Sequence, residues 1–160
     1  MPPSTGTRRA SKKAARPLAA TVPPGATVLF VLGEIDCREG ILVAVEKLRY
    51  ADVTEGIRKT AKIFVDTAAA LCAEKKYARG LVHPVPPVLD ETRGMVTQYN
   101  AILKDLVDAN EFLTYLDFFD DFLDKDKLKP EYALDGTHLH PRYLDDLLAP
   151  ALDAVLGDSP

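Results

Sequence analysis

Val28-Leu29-Phe30-Val31-Leu32, closed by Gly33, is a continuous apolar run with no polar residue alternating through it. A strand of that texture is expected to be covered on both faces, as in a parallel sheet flanked by helices. Downstream, Asp52-Val53-Thr54-Glu55 has the form of a capping box, and Ile57, Ala61, Phe64, Ala68 and Leu71 follow at helical spacing. A shorter helix is expected from Ile41 to Leu48. The alternation then repeats. Gly80-Leu81-Val82-His83-Pro84-Val85 reads as a second strand, closed by Pro84, Pro86 and Pro87 because proline cannot donate to a ladder. Met95, Tyr99, Ile102 and Leu106 mark another amphipathic helix, and Phe112 to Leu116 a third strand ending at Asp117. A polar loop through Pro130 is expected next, and then a last helix started by Pro141 that buries Leu144, Leu148, Leu152 and Val155. Strands alternating with helices, joined by right-handed crossovers, predict a three-layer α/β/α sandwich on a parallel sheet of about three strands, fewer than a complete fold of this kind carries.

Composition narrows the class. The chain has 160 residues, 47% of them hydrophobic, with no Trp and two cysteines, Cys37 and Cys72. That is enough for one core and too few cysteines for a disulfide framework, so a reducing compartment, cytoplasmic by default, is expected. No apolar run approaches a membrane span. The net charge of −4 is uneven: residues 1–20 carry Arg8, Arg9, Lys12, Lys13 and Arg16 without an acid, leaving 15 bases against 24 acids, a net of −9, on residues 21–160. An acidic body argues against nucleic acid as a partner. Residues 1–26 read as a disordered basic arm with some likeness to an organelle-targeting segment, 27–156 as the folded domain and 157–160 as a tail.

Ligands of open α/β sheets bind beyond the carboxyl ends of the strands. There the chain places Gly33-Glu34-Ile35-Asp36-Cys37-Arg38, then His83 to Pro87, and finally Asp135-Gly136-Thr137-His138-Leu139-His140-Pro141. An imidazole with a pKa near 6.5 can take a proton from a hydroxyl at neutral pH if a carboxylate fixes its tautomer. Asp135 and His138, three apart in a turn, can do this together. The bland alternative has His138 merely closing a turn and Asp135 capping one. His140 reads as the boundary of the last helix, and His83 equally as a packing histidine or a site residue.

Asp135-Gly136-Thr137-His138-Leu139 before a Pro-started helix resembles the last signature of the SGNH/GDSL hydrolases. Gly33 to Asp36, the proline-ended strand and Tyr99-Asn100-Ala101-Ile102-Leu103 follow the family's order, and Gly33 to Arg38 resembles a branch carrying G-E-I-D-C-R. The resemblance covers about residues 27–156. It implies an esterase or acylhydrolase acting on a small ester or a glycan, needing no cofactor and no metal, with His138 as base, Asp135 as its orienter, and Gly33, Glu34, Asp36 and Arg38 in the substrate or oxyanion region. The departures are as informative. No Gly-Asp-Ser occurs, and the three serines are Ser4, Ser11 and Ser159, all near the ends. Ile35 stands where the family has an oxyanion-donating Asn, a loss that typically costs about 10²–10³ in turnover. In the family's strand order two strands would precede Val28, so an exposed edge is expected, either of a truncated reading frame or of a chain that self-associates through it. On this basis negligible serine-esterase activity is expected of the chain alone, with a non-catalytic ligand-binding or interaction domain as the alternative.

Three further readings carry less weight. Cys37 could serve as a thiol nucleophile, although a buried inert thiol is the ordinary role of such a residue. A metal site from His83, Asp135, His138 and His140 matches no zinc spacing. A phosphate-binding loop is opposed by Glu34 and Asp36, which would repel the anion.

Overall fold

The computed structural model describes residues 19–157. Strand β1 (Thr27–Phe30) leads through a π-turn at Asp36–Gly40 into α1 (Ile41–Glu46), followed by α2 (Val53–Lys75), β2 (Arg79–Val82), α3 (Arg93–Asp108) and β3 (Leu113–Tyr115). A two-strand hairpin, β4 (Leu123–Asp124) and β5 (Lys127–Leu128), precedes a second π-turn at Leu144–Leu148 and α4 (Ala149–Leu156). β1, β2 and β3 form one parallel sheet in that order, with Thr27 opposite Arg79 and Gly80 opposite Leu113. The α/β class and the parallel sheet flanked by helices are as the sequence predicts.

Side-chain parity on β2 assigns the layers. A methyl group added at Gly80 would lie 2.7 Å from Cys72 Sγ of α2 and 2.7 Å from Leu113 Cδ2 of β3, so the even positions face α2. The odd positions face the other way: Arg79 donates to the Val155 carbonyl of α4, and the His83 ring stands edge-on to Tyr143. Helices α2 and α3 pack side by side on one face, as successive right-handed crossovers require, and the C-terminal segment covers the other.

The capping box at the head of α2 is real. Asp52 accepts from the Glu55 amide at 2.8 Å, and Glu55 reaches back to the Ala51 amide. Ile57, Ala61 and Ala68 are buried as expected, while Phe64 and Leu71 are half-buried on the flank. In α3 the buried face is turned by one residue from the predicted stripe: Val96, Tyr99, Asn100, Leu103 and Val107 are inside, and Met95, Ile102 and Leu106 half-buried. The cause is Asn100, a buried polar side chain that apolar periodicity reads as surface.

Four expectations are corrected. The run from Val28 is covered only in part. β1, the sheet's edge as the family's strand order implies, is at most half-buried; beyond it Val31 is 54% and Leu32 59% exposed, and the most enclosed strand is β2. Residues 19–26 are not part of a free arm: Ala19 is buried and accepts from the Tyr77 hydroxyl at 3.1 Å, and the Gly25 amide donates to Lys76 O at 2.8 Å. A buried tyrosine needs such an acceptor, which ties this strap over the α2–β2 turn. The remainder of the arm, 1–18, and residues 158–160 of the tail lie outside the described residues, whereas Gly157 closes α4 with a bond to Asp153 O. The expected polar loop instead carries the buried Phe118, Phe119 and Phe122, spaced without a period among Asp117, Asp120 and Asp121, and Tyr132 just beyond it is buried too. Finally, the last helix is split and none of its residues is fully buried; Leu144 is exposed. Pro150 cannot donate to the carbonyl four residues back, and the wide π-turn, closed by the Ala149 amide on Leu144 O, lies immediately before it.

His83 sits in an aromatic box at the end of β2. It is buried, with Phe118 and Tyr143 edge-on at 5.1 and 5.8 Å between ring centres. Its Nδ1–H donates to Pro84 O at 2.6 Å, and Nε2 has no hydrogen-bond partner. Burial is the main influence and pushes the imidazole below its ordinary value, against the smaller opposing effect of the Pro84 bond.

Two predictions follow from packing and titration. Gly80→Val forces β2 away from α2 and β3 and is expected to cost about 1–3 kcal/mol, whereas Gly94→Ala, with nothing within 4 Å of the added methyl, is expected to gain roughly 0.4–1 kcal/mol. Urea-denaturation midpoints followed by circular dichroism measure both. For His83, the unfolded chain takes up its proton near pH 6.5 and the folded chain only at lower pH. The stability that the neutral ring confers is therefore held above about pH 6.5 and lost as the pH falls. The drop in urea midpoint between about pH 7.5 and 5.5 should be smaller in His83→Phe than in the wild type.

Candidate functional site

The turn Asp135–His138 is built by one carboxylate. Asp135 Oδ1 accepts from the amides of Thr137 at 3.0 Å and His138 at 2.9 Å and from the Thr137 hydroxyl at 2.9 Å. Gly136 takes φ +83°, which a glycine adopts without strain, and the turn is closed by Leu134 N–H on His138 O and His140 N–H on Tyr132 O. The second oxygen, Oδ2, lies 2.8 Å from His138 Nδ1. That contact fixes the ring proton on Nδ1 and leaves Nε2 as the basic nitrogen. The hydrogen bond from His138, followed by those from Thr137, holds the Asp135 carboxyl well below the usual carboxylate range. Asp135 thus closes the turn and orients the histidine at once. The pair is open to solvent, with the His138 side chain 70% and that of Asp135 50% exposed.

The second cluster follows β1. Gly33 has φ +102°, and a Cβ there would lie 2.9 Å from Val85 Cγ2 and 3.4 Å from the Tyr99 hydroxyl, so only glycine fits this crossing of the two strand ends. Its carbonyl accepts from the Cys37 amide at 3.0 Å and starts the π-turn. Glu34 and Arg38 pair at 3.4 Å on the surface. Asp36 is exposed as a residue, and partial desolvation of its carboxyl raises it above the usual carboxylate value. Ile35 is exposed and offers no side-chain donor. Cys37 is 1% exposed, and its thiol is pushed up to about 12 by burial and then by Asp36 and Glu34. A protonated, enclosed sulfur is no nucleophile at neutral pH, which removes the thiol reading.

No hydrogen bond or ion pair between described residues joins the two clusters. Glu34 and Arg38 line a narrow cleft with Val85, Pro86 and Thr92, while Gly136 borders an open groove of about 940 Å³ with Asp90, Arg93, Asp120 and Leu128; Val88 and Leu89 line both. The four residues of the metal reading are not assembled. His83 is packed in its aromatic box, His140 Nδ1 accepts from the Arg142 amide at 3.1 Å, and among the described residues no three His, Cys, Asp or Glu side chains form a group that could hold an ion.

Two residues that shape the clefts escaped the sequence reading. Arg93, its side chain only 12% exposed, donates to Pro87 O at 3.0 Å, Val88 O at 3.3 Å and Asp126 O at 3.4 Å, and pairs with Asp90. It pins the proline-rich loop to the β4–β5 hairpin. Asn100, noted only within the family resemblance, bonds both backbone groups of Val85, at 2.8 and 2.9 Å. A usable signal for both was the row of prolines after β2, which leaves carbonyls and amides without ladder partners.

No protein-family model matches the chain. A search of curated proteins returns no match either. Among solved structures, the chain is similar to a Streptococcus pneumonia protein provisionally named a platelet activating factor, with a TM-score of 0.53 and 15% identity over 92% of each chain. At that identity the likeness is one of fold.

Proposed function

We propose that this chain is a hydrolase-type α/β domain of the SGNH kind, presenting the base half of a centre for ester or acyl groups, on a small ester or a glycan. One observation carries the reading: the Asp135 carboxylate sits on His138 Nδ1 and leaves Nε2 to accept a proton. The name of the Streptococcus pneumonia neighbour points the same way, and the order of motifs along the chain supports it. In the step this pair can perform, Nε2 takes the proton of a water or hydroxyl as its oxygen attacks the carbonyl carbon. Asp135 stabilises the resulting imidazolium, which returns the proton to the leaving alkoxide.

The described residues include no serine, so a covalent acyl-enzyme is not part of the proposal. Electrostatic stabilisation of the developing oxyanion also needs fixed donors in a dry site, and Ile35 with an exposed His138 provides neither. That exposure favours a second reading, a ligand-binding domain that keeps the turn for its polar contacts.

With p-nitrophenyl acetate, the wild type is expected to show slow, burst-free hydrolysis that falls at least about tenfold in His138→Ala, within the usual size of general-base effects. Fluorophosphonate should leave no covalent adduct. Equal rates in the two proteins would overturn the hydrolytic reading in favour of ligand binding. Independently, nitrogen NMR of His138 should show the Nδ1–H tautomer of the neutral ring, shifting toward a mixture in Asp135→Asn.

A further inference from the structure

The outer edge of β1 pairs with no strand among the described residues. Its backbone orientation is fixed by the inner side. Ala26 O accepts from the Ala78 amide and Phe30 O from the His83 amide, both at 3.0 Å. Because a trans peptide points its C=O and the next N–H in opposite directions, the amides of Thr27 and Val31 are aimed away from β2, and strand alternation puts Leu29 with them. This is a donor and acceptor row with no cover from its own sheet.

Natural edges are kept single by lysine, proline, bulges or inward charges. Thr27 to Leu32 contains none of these, and Val31, Leu32 and, beyond the turn, Ile35 are 54%, 59% and 61% exposed. Of the charges that follow the strip, Glu34 pairs with Arg38, and Asp36 and Glu39 lie on the turn beyond it rather than on the strand. The rest of the body is acidic, with a net of −9 over residues 21–160. Two such bodies carry like net charge, and along this uncharged strip they meet without facing acids. The strip offers no carboxylate to a basic partner and no cation to an acidic one. It is complementary to itself.

We propose that the β1 edge is the interface for a second copy of this chain, joined antiparallel about a two-fold axis through Leu29. In that register Leu29 faces Leu29 of the second copy, and Thr27 faces its Val31. These outward residues exchange both hydrogen bonds, as hydrogen-bonded antiparallel pairs do, and the two sheets become one. Exposed apolar groups at Val31 and Leu32 are covered in the same step.

The test uses the full chain. Light scattering on a sizing column should show particles of two chains, each of 17.5 kDa, with the share of dimer rising with concentration. Val31→Lys places a charge on the strip, and Val31→Pro removes an outward amide without touching the β2 ladder; both should give monomers with the wild-type circular dichroism spectrum. Hydrogen exchange provides a second reading: the Leu29 and Val31 amides of the wild type should be protected in proportion to the dimer, and the Leu29 amide unprotected in Val31→Lys. A wild type that is monomeric at every concentration overturns the proposal. So does a dimer that persists in Val31→Pro, or a Leu29 amide protected independently of concentration and released by deleting residues 1–18, which would assign the edge to the chain's own arm.

Discussion

A strand that ends in prolines runs out of amides, and Asn100 makes good the loss. Its Oδ1 accepts from the Val85 amide, its Nδ2 donates to the Val85 and Val96 carbonyls, and the Tyr115 hydroxyl reaches the same Oδ1 at 3.3 Å. One side chain therefore ties the end of β2 to α3 and to β3. Without it the two backbone groups of Val85 would be buried unpaired, at about 1–3 kcal/mol each. The carboxyl end of the sheet is placed relative to this clamp: Val85 is the surface that Gly33 crosses, and His83, bonded to the Pro84 carbonyl, enters the aromatic box just before it.

The fold was legible where burial is periodic and local. The stripe through Ile57, Ala61 and Ala68, the capping box at Asp52 and the proline stop after β2 each follow from a few neighbouring residues. What was misread depends on neighbours far along the chain. The depth of burial of Val28 to Leu32 was overread from its texture, which is the same in an edge strand as in a central one; only the family's strand order pointed to an exposed edge there. Phe118, Phe122 and Tyr132 are core residues drawn in by His83 and Tyr143, and no period marks them. The one-residue turn of α3 comes from burying an amide, which a hydropathy pattern excludes by construction.

The candidate site divides along the same line. Asp135 and His138 are three residues apart, so their pairing is a property of one turn, and the sequence sufficed to name it. The relation of that turn to Gly33, Glu34, Asp36 and Arg38 is tertiary and runs through Val88 and Leu89, held by Arg93. In the structure Gly136 of the turn borders one cleft, and Glu34 and Arg38 line the one adjoining it. A base without a fixed oxyanion donor beside it accounts for proton transfer and leaves the larger electrostatic share of acyl transfer unaccounted for.

The strand order has one more implication, for how the molecule comes apart. β1–α2–β2 and β2–α3–β3 are two overlapping crossover units, and both use β2. The β1–β2 contact closes over α1 and α2 and the β2–β3 contact over α3, and neither unit keeps its sheet pairing once the middle strand is disordered. The three strands are thereby one cooperative element whose integrity is set by its shared member.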